Sequence, residues 1–347
     1  MGELFERLEG PLERVAVVRA LPGLGDLLCA VPALRALRTA LPGARVTLVG
    51  LASARPFAER FARYVDELLV CPGFPGVVSP PDPRAVPAFL ADAQARRFDL
   101  ALQLHGSGVT SNPLTALLGA RQTAGCFLPG QYCPDEARFA PLPEDQHEIR
   151  RALAPLARLG MPLQGEALEF PLHPEDRAAL ADLPQAHRLE ADGYVCLHPG
   201  ASTPLRRWAP ESFAAAADAL AGRGLAVVLT GGPDERGLTA AVAQAMRAPA
   251  LDLAGQTGLG ALAALLSRAA LLLSNDTGVA HLGAALGLPS VVVFAGESAD
   301  PAHMRRWAPL DGLRHRAIPA PDHARALPAV LEAIDALLGR TRVVAGA

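Results

Sequence analysis

At 347 residues the chain is longer than an ordinary single domain, which favours two domains. Half of it is hydrophobic and 19% is charged, the balance of a globular protein with a sizeable core. A net charge of −3 provides no basic field for nucleic acid, and all 32 basic residues are Arg, so any side-chain cation that grips an anion is a guanidinium.

The opening stretch, with acidic residues and only a short apolar run, does not read as a signal peptide, and no segment reaches the length of a membrane span. "RVAVVRA" (14–20) predicts a buried strand and "GDLLCAVPALRALRTAL" (25–41) a helix kinked at Pro32. A strand (45–50), a helix (56–65) and a strand (66–71) follow, then a Pro/Gly-rich loop over 72–87. A helix to Arg97, a strand (98–104) and a helix (112–119) complete the first series. Between about 127 and 190 prolines and charges blur the pattern. It resumes with a strand (194–200), helix (210–224), strand (225–232), helix (234–247), strand (250–255) and helix (259–269). A strand (271–275), a helix and a strand (290–296) come next, then a last helix (324–339) and a loose tail, "RTRVVAGA". Such β–α alternation predicts α/β architecture with parallel, doubly wound sheets in two domains, 1–185 and 186–347, the last helix being a candidate to pack back on the first. Cys29, Cys71, Cys126, Cys133 and Cys196 form no CxxC pair and no metal-ligand spacing, which points to a reduced, cytoplasmic protein.

In sheets of this kind ligands bind beyond the carboxyl ends of strands. Three loops there carry polar chemistry. In "ALPGLGD" (20–26), Gly23 and Gly25 permit a tight turn and Asp26 opens a helix, where an acid also suits the macrodipole. The spacing breaks the GxGxxG dinucleotide fingerprint, which argues against a dehydrogenase. In "HPGASTPLRRWAPESF" (198–213), Ser202 and Thr203 offer hydroxyls and Arg206 and Arg207 offer cations, a set suited to a diphosphate; a solvated loop is the alternative. In "LLLSNDTGVAHLGAALG" (271–287), a strand delivers Asp276, Thr277 and Gly278 to a helix N-terminus, whose unpaired N–H groups suit an anion. Asp276 would repel phosphate and so should address sugar hydroxyls, unless it or Thr277 only caps the helix. His281 reads as a packed helix histidine.

Together "RALPGLGDLLCAVPALRALR", "LHPGASTPLRRWAPESF", "LTGGPDE" and "SNDTGVAHLGAALGLPSVVVFAGESADP" resemble glycosyltransferase family 9, the ADP-heptose:lipopolysaccharide heptosyltransferases and their relatives. The resemblance implies a GT-B fold: two Rossmann-like domains facing across a cleft, acceptor on the first and nucleotide sugar on the second. It also implies Asp26 as catalytic base, Arg206 on the donor diphosphate, Thr277 and Gly278 as the phosphate turn, Asp276 on the donor sugar, Glu235 on the ribose, and Gln256 and Thr257 near the base.

The activity implied is a single inverting displacement from a nucleotide-diphosphate sugar, ADP-heptose by the resemblance, to a glycan or glycolipid hydroxyl of lipopolysaccharide core type. No paired-acid DxD motif stands near the donor loops, so turnover without metal or other cofactor is expected. Arg35, Arg38, Arg45, Arg55, Arg60 and Arg63 could face an anionic lipid headgroup or core phosphate, in peripheral contact with the inner membrane surface; a solvated basic face is the alternative. The rival activities are a sugar-nucleotide epimerase of similar fold and a non-catalytic nucleotide-sugar-binding protein.

Overall fold

The computed structural model describes residues 7–77, 82–322 and 325–345, the last six as backbone. The chain divides into two units, 1–167 and 168–347.

In the first unit the elements run β1 (Arg14–Val18), α1 (Leu24–Leu28), α2 (Val31–Ala40), β2 (Arg45–Gly50), α3 (Arg55–Arg60), β3 (Glu67–Val70), α4 (Val86–Ala95), β4 (Leu100–Gln103), α5 (Ser111–Leu117), β5 (Gln122–Phe127), β6 (Phe139–Pro141) and α6 (Glu148–Arg158). The second has α7 (Pro174–Ala181), β7 (Tyr194–His198), α8 (Pro210–Ala221), β8 (Ala226–Leu229), α9 (Arg236–Ala245), β9 (Ala250–Asp252), α10 (Leu259–Leu266), β10 (Leu271–Asn275), α11 (Gly278–Ala285), β11 (Ser290–Ala295), α12 (Pro301–Trp307), β12 (His315–Ala320) and α13 (Leu327–Ala345).

Each unit holds one six-stranded parallel sheet, ordered β3-β2-β1-β4-β5-β6 and β12-β11-β10-β7-β8-β9. Counted within its own unit, each sheet runs 3-2-1-4-5-6, the order of doubly wound nucleotide-binding folds. The central strands carry continuous apolar runs: Val15 to Val18 and Leu271 to Leu273 are fully buried, as strands covered by helices on both faces must be. The switch points, where successive connections turn to opposite sides of the sheet, fall between β1 and β4 and between β7 and β10.

Several expectations need correction. The helix over 25–41 is two helices, with Cys29 and Ala30 between them; Pro32 sits in the first turn of α2, where a missing N–H costs nothing, and so starts a helix instead of kinking one. The helix over 56–65 ends at Arg60, because Phe61 leaves the helical region at φ −100° and ψ 31°. In the blurred stretch lie β6, α6 and α7, with β5 just before it. α12 and β12 were likewise not anticipated.

The division between units falls at residue 167 instead of near 185, because α7 packs against α10 of the second sheet. The last helix packs on α8, β11 and β12 of its own unit, through Val330, Ile334 and Leu337, and continues through most of the tail expected to be loose. Parts of the expected 72–87 loop (78–81) and of the tail (346–347) lie outside the described residues, as do 1–6. Among the described residues no helix is long and apolar enough to cross a membrane.

Candidate active site

At the end of β7, His198 pairs in register with Ser274, so the loop beginning at Pro199 leaves the sheet beside Asn275. Asn275 is fully buried and binds that loop at two points. Its Oδ1 accepts from the Trp208 N–H at 2.9 Å, and its Nδ2 donates to the Pro199 carbonyl at 2.7 Å and the Gly200 carbonyl at 3.4 Å. Trp208 is fully buried with its ring edge-on to Phe213, 5.2 Å between centroids. One amide thus ties both ends of the 199–208 loop to the Asp-Thr-Gly turn.

On that loop Ser202 is exposed and Thr203 half-buried. The Arg206 Nε donates to Glu297 Oε1 at 3.1 Å, and the Thr203 hydroxyl points at the same oxygen from 3.5 Å. Arg207 instead turns back to donate to the Ala201 carbonyl at 3.2 Å, bracing its own loop. Gly296, at φ +53°, lies where any side chain would collide with the Leu205 carbonyl, so the segment after β11 packs directly on the Arg206 loop.

In the Asp-Thr-Gly turn the Asp276 side chain is buried and its Oδ2 receives a hydrogen bond from His303 Nε2 at 2.7 Å. Thr277, extended at φ −156°, precedes α11 with no capping hydrogen bond from its side chain, and Gly278 is the first helical residue. Neither residue caps the helix by its side chain; the Ala280 N–H donates to the Thr277 carbonyl at 3.0 Å, and the N–H groups of Gly278 and Val279 are directed at the space ahead of the helix. His281 is buried, its ring edge-on to Trp307 at 6.0 Å.

Glu235 is held at the end of β8: its Oε2 accepts from the Gly232 N–H at 2.8 Å and lies 3.8 Å from His198 Nε2. A side chain at position 200 would collide with the Glu235 carboxylate, so Gly200 is the clearance for that acid. Burial holds His198 neutral against the pull of Glu235, and the Thr230 hydroxyl lies 3.1 Å from its Nδ1. Gln256 is exposed and donates to the Asp252 carbonyl at 2.9 Å.

In the first unit Asp26 is half-buried in the first turn of α1. Gly23 and Gly25 have no left-handed backbone to supply; the room at Gly23 is filled by the Asp26 carboxylate, and that clearance is what the glycine provides. The carbonyl of Asp26 accepts from Arg19 Nε at 3.1 Å and Nη2 at 2.7 Å. Arg19 is itself 2% exposed, paired with buried Glu148 at 3.0 Å and also bonded to the Leu104 carbonyl. Beside it, His105 accepts from the Ala20 N–H at 3.1 Å and is pushed down to about 4, by burial first and by the Arg19 cation second.

Several arginines expected on a basic face are engaged within the unit. Arg35 reaches the carbonyls of Gln164, Gly165 and Ala167, Arg38 pairs with Asp66, Arg45 pairs with Glu67, and Arg63 stacks on Tyr64. All five cysteines are free. Among the described residues no group of three acidic, His or Cys side chains could hold a metal.

The structure thus brings Ser202, Thr203, Arg206, Asp276, Thr277 and Gly278 onto adjoining loops at one switch point, with Glu235 at the end of the next strand. Asp26, Gly23 and Gly25 lie in the other unit. Glu297, His303, Asn275 and the Arg19–Glu148 pair were not assigned roles from the sequence. The signal that could have flagged Asn275 is an amide at the end of an otherwise apolar strand; nothing local marks the others.

Two parallel sheets of this order, with polar loops at the carboxyl ends of their central strands, define the fold class as GT-B, the fold shared with the solved structures below. Residues 91–319, more than half the chain, match Glycosyltransferase family 9 (heptosyltransferase), and the chain belongs to that family. It is 34% identical over 125 residues to lipopolysaccharide heptosyltransferase 3 of Escherichia coli, a match covering 35% of this chain and 36% of that relative's length. Among solved structures, a family 9 glycosyltransferase of Veillonella parvula superposes with a TM-score of 0.79 at 23% identity, covering 96% of this chain and 99% of the other. The E. coli ADP-heptose lipopolysaccharide heptosyltransferase II gives 0.69 at 20% identity, with 95% and 99% covered.

Proposed function

We propose that this chain transfers a sugar, heptose-like, from a nucleoside-diphosphate sugar to a hydroxyl of a glycan or glycolipid acceptor of lipopolysaccharide core type, with inversion and without a metal. The observation that carries the reading is the pair of loops joined by Asn275, which puts Arg206 and an uncapped helix N-terminus on one switch point. Guanidinium, hydroxyls and amide N–H groups together match a diphosphate, and they strengthen as the leaving group gains charge, which is catalysis by differential binding. ADP-heptose is the donor that best fits, supported by relatives solved with ADP and with ADP-2-deoxy-2-fluoro heptose. Asp26 takes the proton from the acceptor hydroxyl as that oxygen attacks the anomeric carbon; the carbon–oxygen bond to the diphosphate breaks and nucleoside diphosphate leaves. The chain's own Arg206 and Thr277–Gly278 turn carry the leaving charge, so no cation is required.

The test is Asp26→Asn, which keeps the shape while removing the basic oxygen. Acceptor-dependent release of ADP should fall by roughly 10²–10⁴-fold, with ADP affinity and the melting temperature unchanged. Parent turnover in the folded variant would end the base assignment. Release of a free epimer or glycal without acceptor would establish an epimerase, and nucleotide-sugar binding without any turnover a binding protein.

A further inference from the structure

His303 lies outside the loops that the proposed donor reading uses, on the first turn of α12, where Asp300 caps the helix by accepting from the His303 N–H at 2.9 Å. Its ring is flanked by Phe294 at 6.2 Å and Trp307 at 6.4 Å between centroids, which limits the orientations open to the imidazole. From that fixed position Nε2 meets Asp276 Oδ2 at 2.7 Å. A carboxylate oxygen only accepts, so Nε2 carries the proton. Among the described residues the other oxygen, Oδ1, accepts no hydrogen bond. The carboxylate is therefore held by one oxygen and offers the other.

We propose that His303 is the positioning residue that makes Asp276 a one-oxygen acceptor for a donor-sugar hydroxyl, and so sets the preference for the sugar over the bare nucleotide. The inference rests on the donor reading above and adds to it a residue on a different element. An Asp276 free to rotate would present either oxygen, and its charge would lie undirected beside the diphosphate subsite. With Oδ2 fixed by a short charge-assisted bond, rotation about the side-chain axis is blocked and a hydroxyl meets an acceptor already in place. His303 touches no ligand in this arrangement; it acts through Asp276.

The experiment measures ADP and ADP-heptose affinity by calorimetry for the parent, His303→Ala and His303→Gln, with a melting curve for each. Removing the donor should cost about 10- to 30-fold in ADP-heptose affinity while leaving ADP within about twofold, on the scale of one hydrogen bond to a charged group. Gln restores a side-chain N–H donor and should recover most of the loss. Equal weakening of both ligands, or no selective loss in a folded His303→Ala, would overturn the positioning role. Should the parent bind neither ligand, the donor reading itself falls, and the inference with it.

Discussion

Replacing Asn275 with Ala removes both ends of the tie between the 199–208 loop and the Asp-Thr-Gly turn. The Trp208 N–H and the Pro199 carbonyl lose partners at 2.9 and 2.7 Å, inside a region where Asn275 and Trp208 are both fully buried. Each unsatisfied buried group costs about 1–3 kcal/mol. Relaxation of the loop recovers part of that, so a loss of about 2–4 kcal/mol is expected. In a domain of this size about 1 kcal/mol moves the midpoint by roughly 2–4 °C, so the second unit should melt roughly 5–15 °C lower. Asn275→Asp separates the two ends, because it keeps an acceptor for Trp208 yet faces the Pro199 carbonyl with a negative oxygen. Calorimetric melting with an ADP titration at a temperature where the variants remain folded reads both stability and site geometry. An Asn275→Ala protein that melts within a degree of the parent and binds ADP as tightly would refute the reasoning.

Arg206→Ala should weaken ADP binding by about 10- to 100-fold, the scale of a lost charge-assisted phosphate contact. Arg207→Ala should weaken it less and lower the melting temperature instead, since Arg207 braces Ala201; the reverse order, read by calorimetry, would move the cation role to Arg207. Turnover should persist in excess chelator, and a loss restored by Mg²⁺ or Mn²⁺ would reveal a metal requirement. Acid should destabilise both units. His105 and His315 are each pushed down from 6.5 to about 4, burial being the largest cause, so the unfolded chain binds more protons between those values. Their contribution is complete above about pH 6.5 and is lost as pH falls toward about 4, on the order of 3 kcal/mol apiece. Urea midpoints unchanged over that range would contradict it.

The sheet architecture was legible because its central strands are continuous apolar runs separated by helices of clear period. β10 and β2 appear at the boundaries their residues suggest, Leu271–Asn275 and Arg45–Gly50. β5 was missed because "QTAGCF" lacks a sustained apolar run, and β12 because "HRAIPA" carries a proline and is only partly buried at the sheet edge. The domain boundary was displaced because α7 is held by a tertiary contact with α10, and local pattern carries no information about that partner. In the site, the polar residues of the loops could be found in sequence, since strand ends mark where ligands bind. Their partners could not. Glu297 lies 91 positions from Arg206 and His303 27 positions from Asp276, and only the order of the parallel strands brings them together. The glycines show a subtler limit. Gly23 suggested a tight turn from its type alone, yet its contribution is the space that Asp26 fills.

The charged groups at the donor loops divide by how readily a ligand can exchange them. The Arg206–Glu297 pair has side chains 31% and 47% exposed, and such pairs contribute about 0–1 kcal/mol. A phosphate contact at Arg206, as proposed, is worth about 1.5–3 kcal/mol and would displace Glu297 at little cost. The Asp276–His303 pair is different: its side chains are 8% and 19% exposed, and the imidazole is flanked by aromatic rings. Breaking it would strand a buried carboxylate, which costs far more than parting a solvated pair. A ligand therefore does better to use the oxygen already free than to compete for the bonded one. On the donor reading proposed above, the segment after β11 would thus supply one partner that yields to the ligand and one that stays, Glu297 at the phosphate end and His303 at the sugar end.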